Sequence, residues 1–151
     1  MKRFVLTSAL AAGLLLSACA TVAPEGVTSV SAADRAEIEA RVYDYFDGQG
    51  YADAERLDRA FADNATMHGV RKADDGGQTL RQWPDFQQTL EAWGANDNPP
   101  GERDGEILSV SVVDGRIATV QFRSADRFYD ALTLVKVNGE WVIATKVFVR
   151  Q

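Results

Sequence analysis

The chain has 151 residues, a formal net charge of −6, a single cysteine and a single histidine. One cysteine cannot build an intramolecular disulfide framework, and no His/Cys spacing for a zinc site is present. The acidic balance argues against nucleic acid, whose phosphates need a basic surface.

The N-terminus reads as a secretion signal. Lys2 and Arg3 supply the positive start, and residues 4–16 form an apolar run interrupted only by Thr7, Ser8 and Gly13. The run is shorter than the roughly 20 apolar residues a membrane span needs, and it has the charge, length and small-residue exit of a signal peptide. The exit, Leu16-Ser17-Ala18-Cys19, resembles the lipobox cut by lipoprotein signal peptidase. That resemblance implies a diacylglycerol on Cys19, which becomes the first residue of the mature chain. Two or more acyl chains on one residue anchor stably, where one is marginal. Ala20 follows; an Asp there would resemble the inner-membrane retention signal, so its absence points to the outer membrane, facing the periplasm. Removal of residues 1–18 leaves 14 basic and 22 acidic residues. A mature chain this acidic does not adhere electrostatically to anionic lipid, so the acyl group must do the anchoring.

Residues 19–30 read as a lipidated cysteine and tether, being rich in Thr, Val, Ala, Pro, Gly and Ser. Residues 31–151 are then one domain by size. Ser31 can cap a first helix, and Asp34 suits its first turn. Ile38, Val42, Tyr45 and Phe46 recur at helical spacing. Asp47-Gly48-Gln49-Gly50 is expected to break that helix. A second helix is expected over 52–61 with Leu57 and Phe61 inward, and a short strand over 65–70. A polar loop over 72–77 and a strand over 79–83 follow. Trp83-Pro84-Asp85 opens a third helix carrying Phe86, Leu90 and Trp93, with Pro84 near its first turn. Residues 94–105 read as loop.

The last third reads as two β-hairpins, strands over 106–113 and 116–124 about Asp114-Gly115, then over 127–137 and 140–149 about Asn138-Gly139. In the first, a bulged turn would set Val112 opposite Arg116, Val110 opposite Ala118, Leu108 opposite Val120 and Glu106 opposite Phe122. That register gathers Leu108, Val110, Val112, Ala118, Val120 and Phe122 on one face. In the second, a bulged turn would set Lys136 opposite Glu140, Leu132 opposite Ala144, Asp130 opposite Lys146 and Phe128 opposite Phe148, with both charged pairs of opposite sign. The face carrying Tyr129, Ala131, Thr133, Val135, Trp141, Ile143 and Val147 is too apolar for full exposure, which points to a homodimer.

Helix, helix, short strand, helix and four long strands resemble the nuclear transport factor 2-like superfamily. The wording within that order is similar to the putative lumazine-binding family. The matching pieces are Tyr45-Phe46-Asp47-Gly48, Asp53-Ala54-Glu55-Arg56-Leu57, and Ala60-Phe61 with Asn64-Ala65-Thr66-Met67. Gly76-Gly77, Trp83, the run from Tyr129 to Leu134, Gly139-Glu140-Trp141, and the run from Ala144 to Phe148 complete the match. The resemblance implies an α+β cone in which three N-terminal helices pack on a curved, mostly antiparallel sheet and leave a pocket at the open end. Ala62 follows Phe61 where members often carry a histidine, so no acid–base role attaches to that position.

Two constellations carry possible chemistry. His68, on the first strand, can titrate near neutral pH; its plainer reading is a half-buried strand residue. Asp130 and Lys146 can form a polar pocket floor, with Asp130 as a base in the manner of ketosteroid-isomerase relatives; the plainer reading is a structural ion pair. Tyr43, Met67, Trp83, Phe86, Trp93, Tyr129 and Lys146 are the candidate ligand contacts, the aromatics among them able to stack on a flat ring or simply to fill a core. No cofactor or metal is implied. Two functions fit. One is a non-catalytic module that holds a small apolar or aromatic molecule, or another copy of itself, in the cell envelope. The other is a cofactor-free isomerase, dehydratase or cyclase using Asp130 or His68, which needs an acid or base facing an open cavity.

Overall fold

The computed structural model describes residues 30–125 and 127–150. The expected signal peptide, Cys19 and nearly all of the expected tether lie outside the described residues.

Ser31 caps α1 (Ala32–Tyr51) by accepting the Asp34 N–H at 3.0 Å. Ile38, Val42, Tyr45 and Phe46 form its buried face. The expected break at 47–50 does not occur. Gly48 and Gly50 are buried within the last turns, where a Cβ on Gly48 would stand 2.9 Å from Leu57 Cγ and one on Gly50 would stand 3.1 Å from the Gly101 carbonyl oxygen. These glycines serve close approach; each costs the helix about 1 kcal/mol, less than a packing clash. The helix stops at Ala52, which takes a left-handed φ of 56°.

Asp53 then caps α2 (Ala54–Ala60), accepting the Arg56 N–H. The helix is shorter at both ends than expected, because Phe61 is already extended and buried at the start of β1 (Phe61–Lys72). Asp44 of α1 fastens the two helices through Arg56 and Arg59 of α2 at 3.1 and 3.4 Å, and pairs with Arg41 of its own helix at 2.7 Å. After β2 (Gln78–Trp83), Asp85 caps α3 (Phe86–Gly94) by accepting the Gln88 N–H. Pro84 therefore lies before the cap and not in the first turn.

The strands β3 (Gly105–Val113), β4 (Ile117–Ser124), β5 (Phe128–Val137) and β6 (Glu140–Arg150) complete one six-stranded sheet. Its order is β2-β1-β6-β5-β4-β3, antiparallel except for the β1–β6 pair. The three helices pack on one face, which is the expected α+β arrangement.

Both hairpin registers differ from expectation. Val113 pairs with Ile117, so Val112 faces Ala118 and Val110 faces Val120. A shift between Ile107 and Ser109 leaves Leu108 out of the ladder, and Ile107 takes the place opposite Phe122. Leu108 is consequently exposed, Ile107 packs on the core, and Glu106 pairs with Arg123 instead of facing Phe122. The other four residues of the expected face, Val112, Ala118, Val120 and Phe122, are buried, and Val110 packs against them.

In β5–β6 the Asn138-Gly139 turn is a tight two-residue loop with φ of 52° and 94°, both left-handed, as its twist requires. Val137 pairs with Glu140 and Lys136 with Trp141. Lys136 therefore does not meet Glu140; its ammonium reaches Asp34 on α1 at 2.7 Å, where the Trp141 indole N–H also donates at 2.9 Å. Trp141 and Ile143 are fully buried on the helix side, not on the face of Tyr129 and Val147. Ala144 is then the extra residue of a bulge between the Leu134–Ile143 and Thr133–Thr145 pairs. Beyond it the register is shifted by one, with Leu132 facing Lys146, Asp130 facing Phe148 and Phe128 facing Arg150.

Candidate functional site

The Ala144 bulge decides what β6 presents to the interior. Without it, the alternation set by Trp141 and Ile143 would turn Lys146 to the outer face. With it, Lys146 and Phe148 point under the helices alongside Asp130 and Phe128 of β5. Lys146 and Asp130 are two residues apart in register, within diagonal reach, and their side chains form a buried ion pair from Lys146 Nζ to Asp130 Oδ1. The other carboxylate oxygen accepts the Tyr45 hydroxyl at 2.9 Å.

Burial dominates the electrostatics of this trio. It pushes the Lys146 ammonium below its usual 10.5 against the opposing pull of Asp130. It lifts the Tyr45 phenol well above 10.0, and the Asp130 charge and hydrogen bond add to that rise. Both directions follow from taking a charged form out of water.

Above the trio lies a cavity of about 240 Å³. The sheet supplies Met67 from β1, Trp83 from β2, Phe128 from β5, and Lys146 and Phe148 from β6, while α1 gives Tyr45 and Gln49 and α3 gives Thr89 and Trp93. The buried Ser124 closes the β4 end. The walls are aromatic: Phe148 meets Trp83 with centroids 5.4 Å apart and Phe128 at 5.7 Å, and Trp93 lies 6.3 Å from Tyr45. Phe148 can lie flat here because its β1 neighbour is Gly69, whose missing Cβ would stand 2.5 Å from Phe148 Cζ. Arg103 stacks on Phe46 at 4.4 Å and donates to Gln49 Oε1 at 3.2 Å, which orients that amide on the cavity wall.

The structure brings together Met67, Trp83, Trp93 and Lys146 on the cavity wall, with Asp130 directly behind Lys146. Other expected contacts fall elsewhere. His68 alternates with Met67 on β1, faces Val147 and Gln82, and so lies on the outer side of the sheet, away from Asp130. Phe86 is core, against Phe61 and Trp93. Tyr43 is half-exposed on α1, and Tyr129 is exposed on the outer face. Tyr45, Gln49, Thr89, Ser124, Phe128 and Phe148 were missed. Phe128 and Phe148 share the even-numbered parity of Asp130 and Lys146, a signal that was available. Tyr45 comes from a helix 85 residues upstream and carried none.

Among the described residues, no group of three His, Cys, Asp or Glu side chains is placed to hold a metal ion, and no helix is long and apolar enough to cross a membrane.

The sequence profile of the putative lumazine-binding family matches residues 33–149. The chain belongs to this family. Solved structures place the fold of this chain among nuclear transport factor 2-like proteins. A protein of that fold and of unknown function from Silicibacter pomeroyi is 25% identical, with a TM-score of 0.61 over 82% of this chain and 100% of that one. Another from Methylobacillus flagellatus is 22% identical, with a TM-score of 0.66 over 83% and 98%. A ketosteroid isomerase-like protein from Erwinia carotovora atroseptica is more distant, at 16% identity and a TM-score of 0.53 over 76% and 94%. No curated protein matches the sequence. At these identities the likeness establishes the fold and not the activity.

Proposed function

We propose that the protein is an envelope lipoprotein, anchored through acylated Cys19 in the outer membrane and facing the periplasm, whose domain binds a small aromatic molecule without transforming it. The observation that carries this reading is the cavity: aromatic walls over a single buried cation already neutralised by Asp130. Its volume is below the roughly 300–1,000 Å³ of sites for drug-sized ligands, which suits a ligand of one or two rings. The family's name, lumazine-binding, agrees with a flat ring.

Catalysis finds less support in the same atoms. A general base must offer a free oxygen to the substrate. Asp130 has one oxygen on Lys146 and the other on Tyr45, and His68 faces away from the cavity. The outer face of the sheet, where Leu108, Tyr129, Val147 and Val149 are exposed around a shallow depression, supports a second copy as the partner.

Native mass spectrometry of the protein purified from its own host tests the binding reading. A low-mass adduct is expected, and Trp93→Ala should lose it. Protein that arrives empty, and whose melting temperature is unmoved by any small bicyclic aromatic, overturns the proposal.

A further inference from the structure

The ammonium of Lys146 has three N–H donors, and among the described residues only one acceptor, Asp130 Oδ1, stands within bonding distance. Two ring faces flank it, Tyr45 and Phe148, each with its centroid 5.0 Å from Nζ. The side chain is 6% exposed and lies on the cavity wall. A buried ammonium with unspent donors is costly unless something accepts them. The donors have only the cavity left to serve.

The charge state of the floor limits what that acceptor is. Lys146 and Asp130 cancel, and Tyr45 spends its proton on Asp130. An anion added here would bury a net negative charge, which is expensive in an apolar enclosure. A neutral acceptor costs no such charge. Arg103 keeps its positive charge, since the Phe46 carbonyl and the Gln49 amide it bonds are neutral, but it stands behind Gln49 and does not line the cavity. The aromatic walls require the acceptor to be carried on a flat ring system.

We infer that the cavity selects a neutral, flat, one- or two-ring molecule bearing a ring carbonyl, and that this carbonyl oxygen accepts from Lys146 Nζ. The inference rests on the reading of the cavity as a ligand site and names the chemical class that site takes. Ser124 and Gln49 stand on the same wall as further polar contacts for a ring N–H or a second carbonyl.

Three bicyclic probes of similar size separate the possibilities by calorimetry or tryptophan quenching on the soluble domain: naphthalene, 2-quinolinone and 2-naphthoate. The expected order places 2-quinolinone about tenfold tighter than naphthalene, the increment of one hydrogen bond from a charged donor, and 2-naphthoate no tighter than naphthalene. The double variant Asp130→Asn/Lys146→Met, verified as folded by circular dichroism, should lose the advantage of 2-quinolinone over naphthalene. If naphthalene binds as well as 2-quinolinone, if the carboxylate binds best, or if the preference survives in the double variant, the carbonyl assignment is wrong while the cavity remains a binding site. If none of the three binds, the ligand-site reading fails with it.

Discussion

Lys146 reaches Asp130 on a diagonal: directly across from Asp130 is Phe148, and directly across from Lys146 is Leu132. The hairpin leaves its Asn138-Gly139 turn in the register that would put the two charges on opposite faces, and the single inserted residue Ala144 reverses the alternation. The pair is therefore the product of a bulge and not of the turn.

The charges are buried, so the partners should be worth more together than apart. Asp130→Asn alone, or Lys146→Met alone, should destabilise the domain by about 3 kcal/mol, because each leaves an uncompensated buried group. The double variant should recover part of that loss. Chemical denaturation of the four proteins measures the coupling; simple additivity would show that the pair does not act as a unit.

A second prediction concerns acid. Asp34 is held at about 2, below the 3.8 usual for an aspartate, chiefly by the hydrogen bond from Lys136, then by those from Trp141 and Ser31. A carboxyl depressed in the folded state contributes stability that is present above the unfolded value and is lost as pH falls through the folded one. The stability gap between the wild type and Asp34→Asn should be constant above pH 3.8 and should shrink as pH falls toward 2. Denaturant titrations at stepped pH would show this, and a gap that holds its size down to pH 2 would contradict the assignment.

Gly69 is a space requirement. An added methyl would drive the Phe148 ring off β1, and Trp83 and Phe128 leave it only the cavity to enter. Gly69→Ala should cost about 1–3 kcal/mol through overpacking, while naphthalene binding should fall below detection. A folded Gly69→Ala protein with unchanged affinity would mean that Phe148 does not set the size of the site.

Anchoring is tested at Cys19. If the diacylated cysteine is the membrane attachment, Cys19→Ala should move the protein from the membrane fraction to the soluble fraction. Retention of the variant on membranes through a salt wash would assign the attachment to something else.

The glycines show where local reading fails. Gly48 and Gly50 carry the composition of a helix stop, yet both sit inside α1, where α2 and the 101–103 segment approach the helix closely enough that a Cβ would crowd them. Leu108 and Ala144 show the same limit in strands. Each is an ordinary apolar residue in an alternating run, and each is extruded because the residues beyond it must change face to meet the core.

What the sequence by itself determined is local and periodic. The cap at Ser31, the buried stripe of α1 and the places of the two hairpin turns follow from residue type and spacing. Only the tertiary structure decided which faces meet. The parallel pairing of β1 with β6 turned Met67 inward and His68 outward, and two bulges reset the hairpins. The packing of α1 across the sheet then brought the Tyr45 hydroxyl to Asp130. Those outcomes depend on burying the most apolar surface across elements distant in sequence, a quantity that no local window of residues contains.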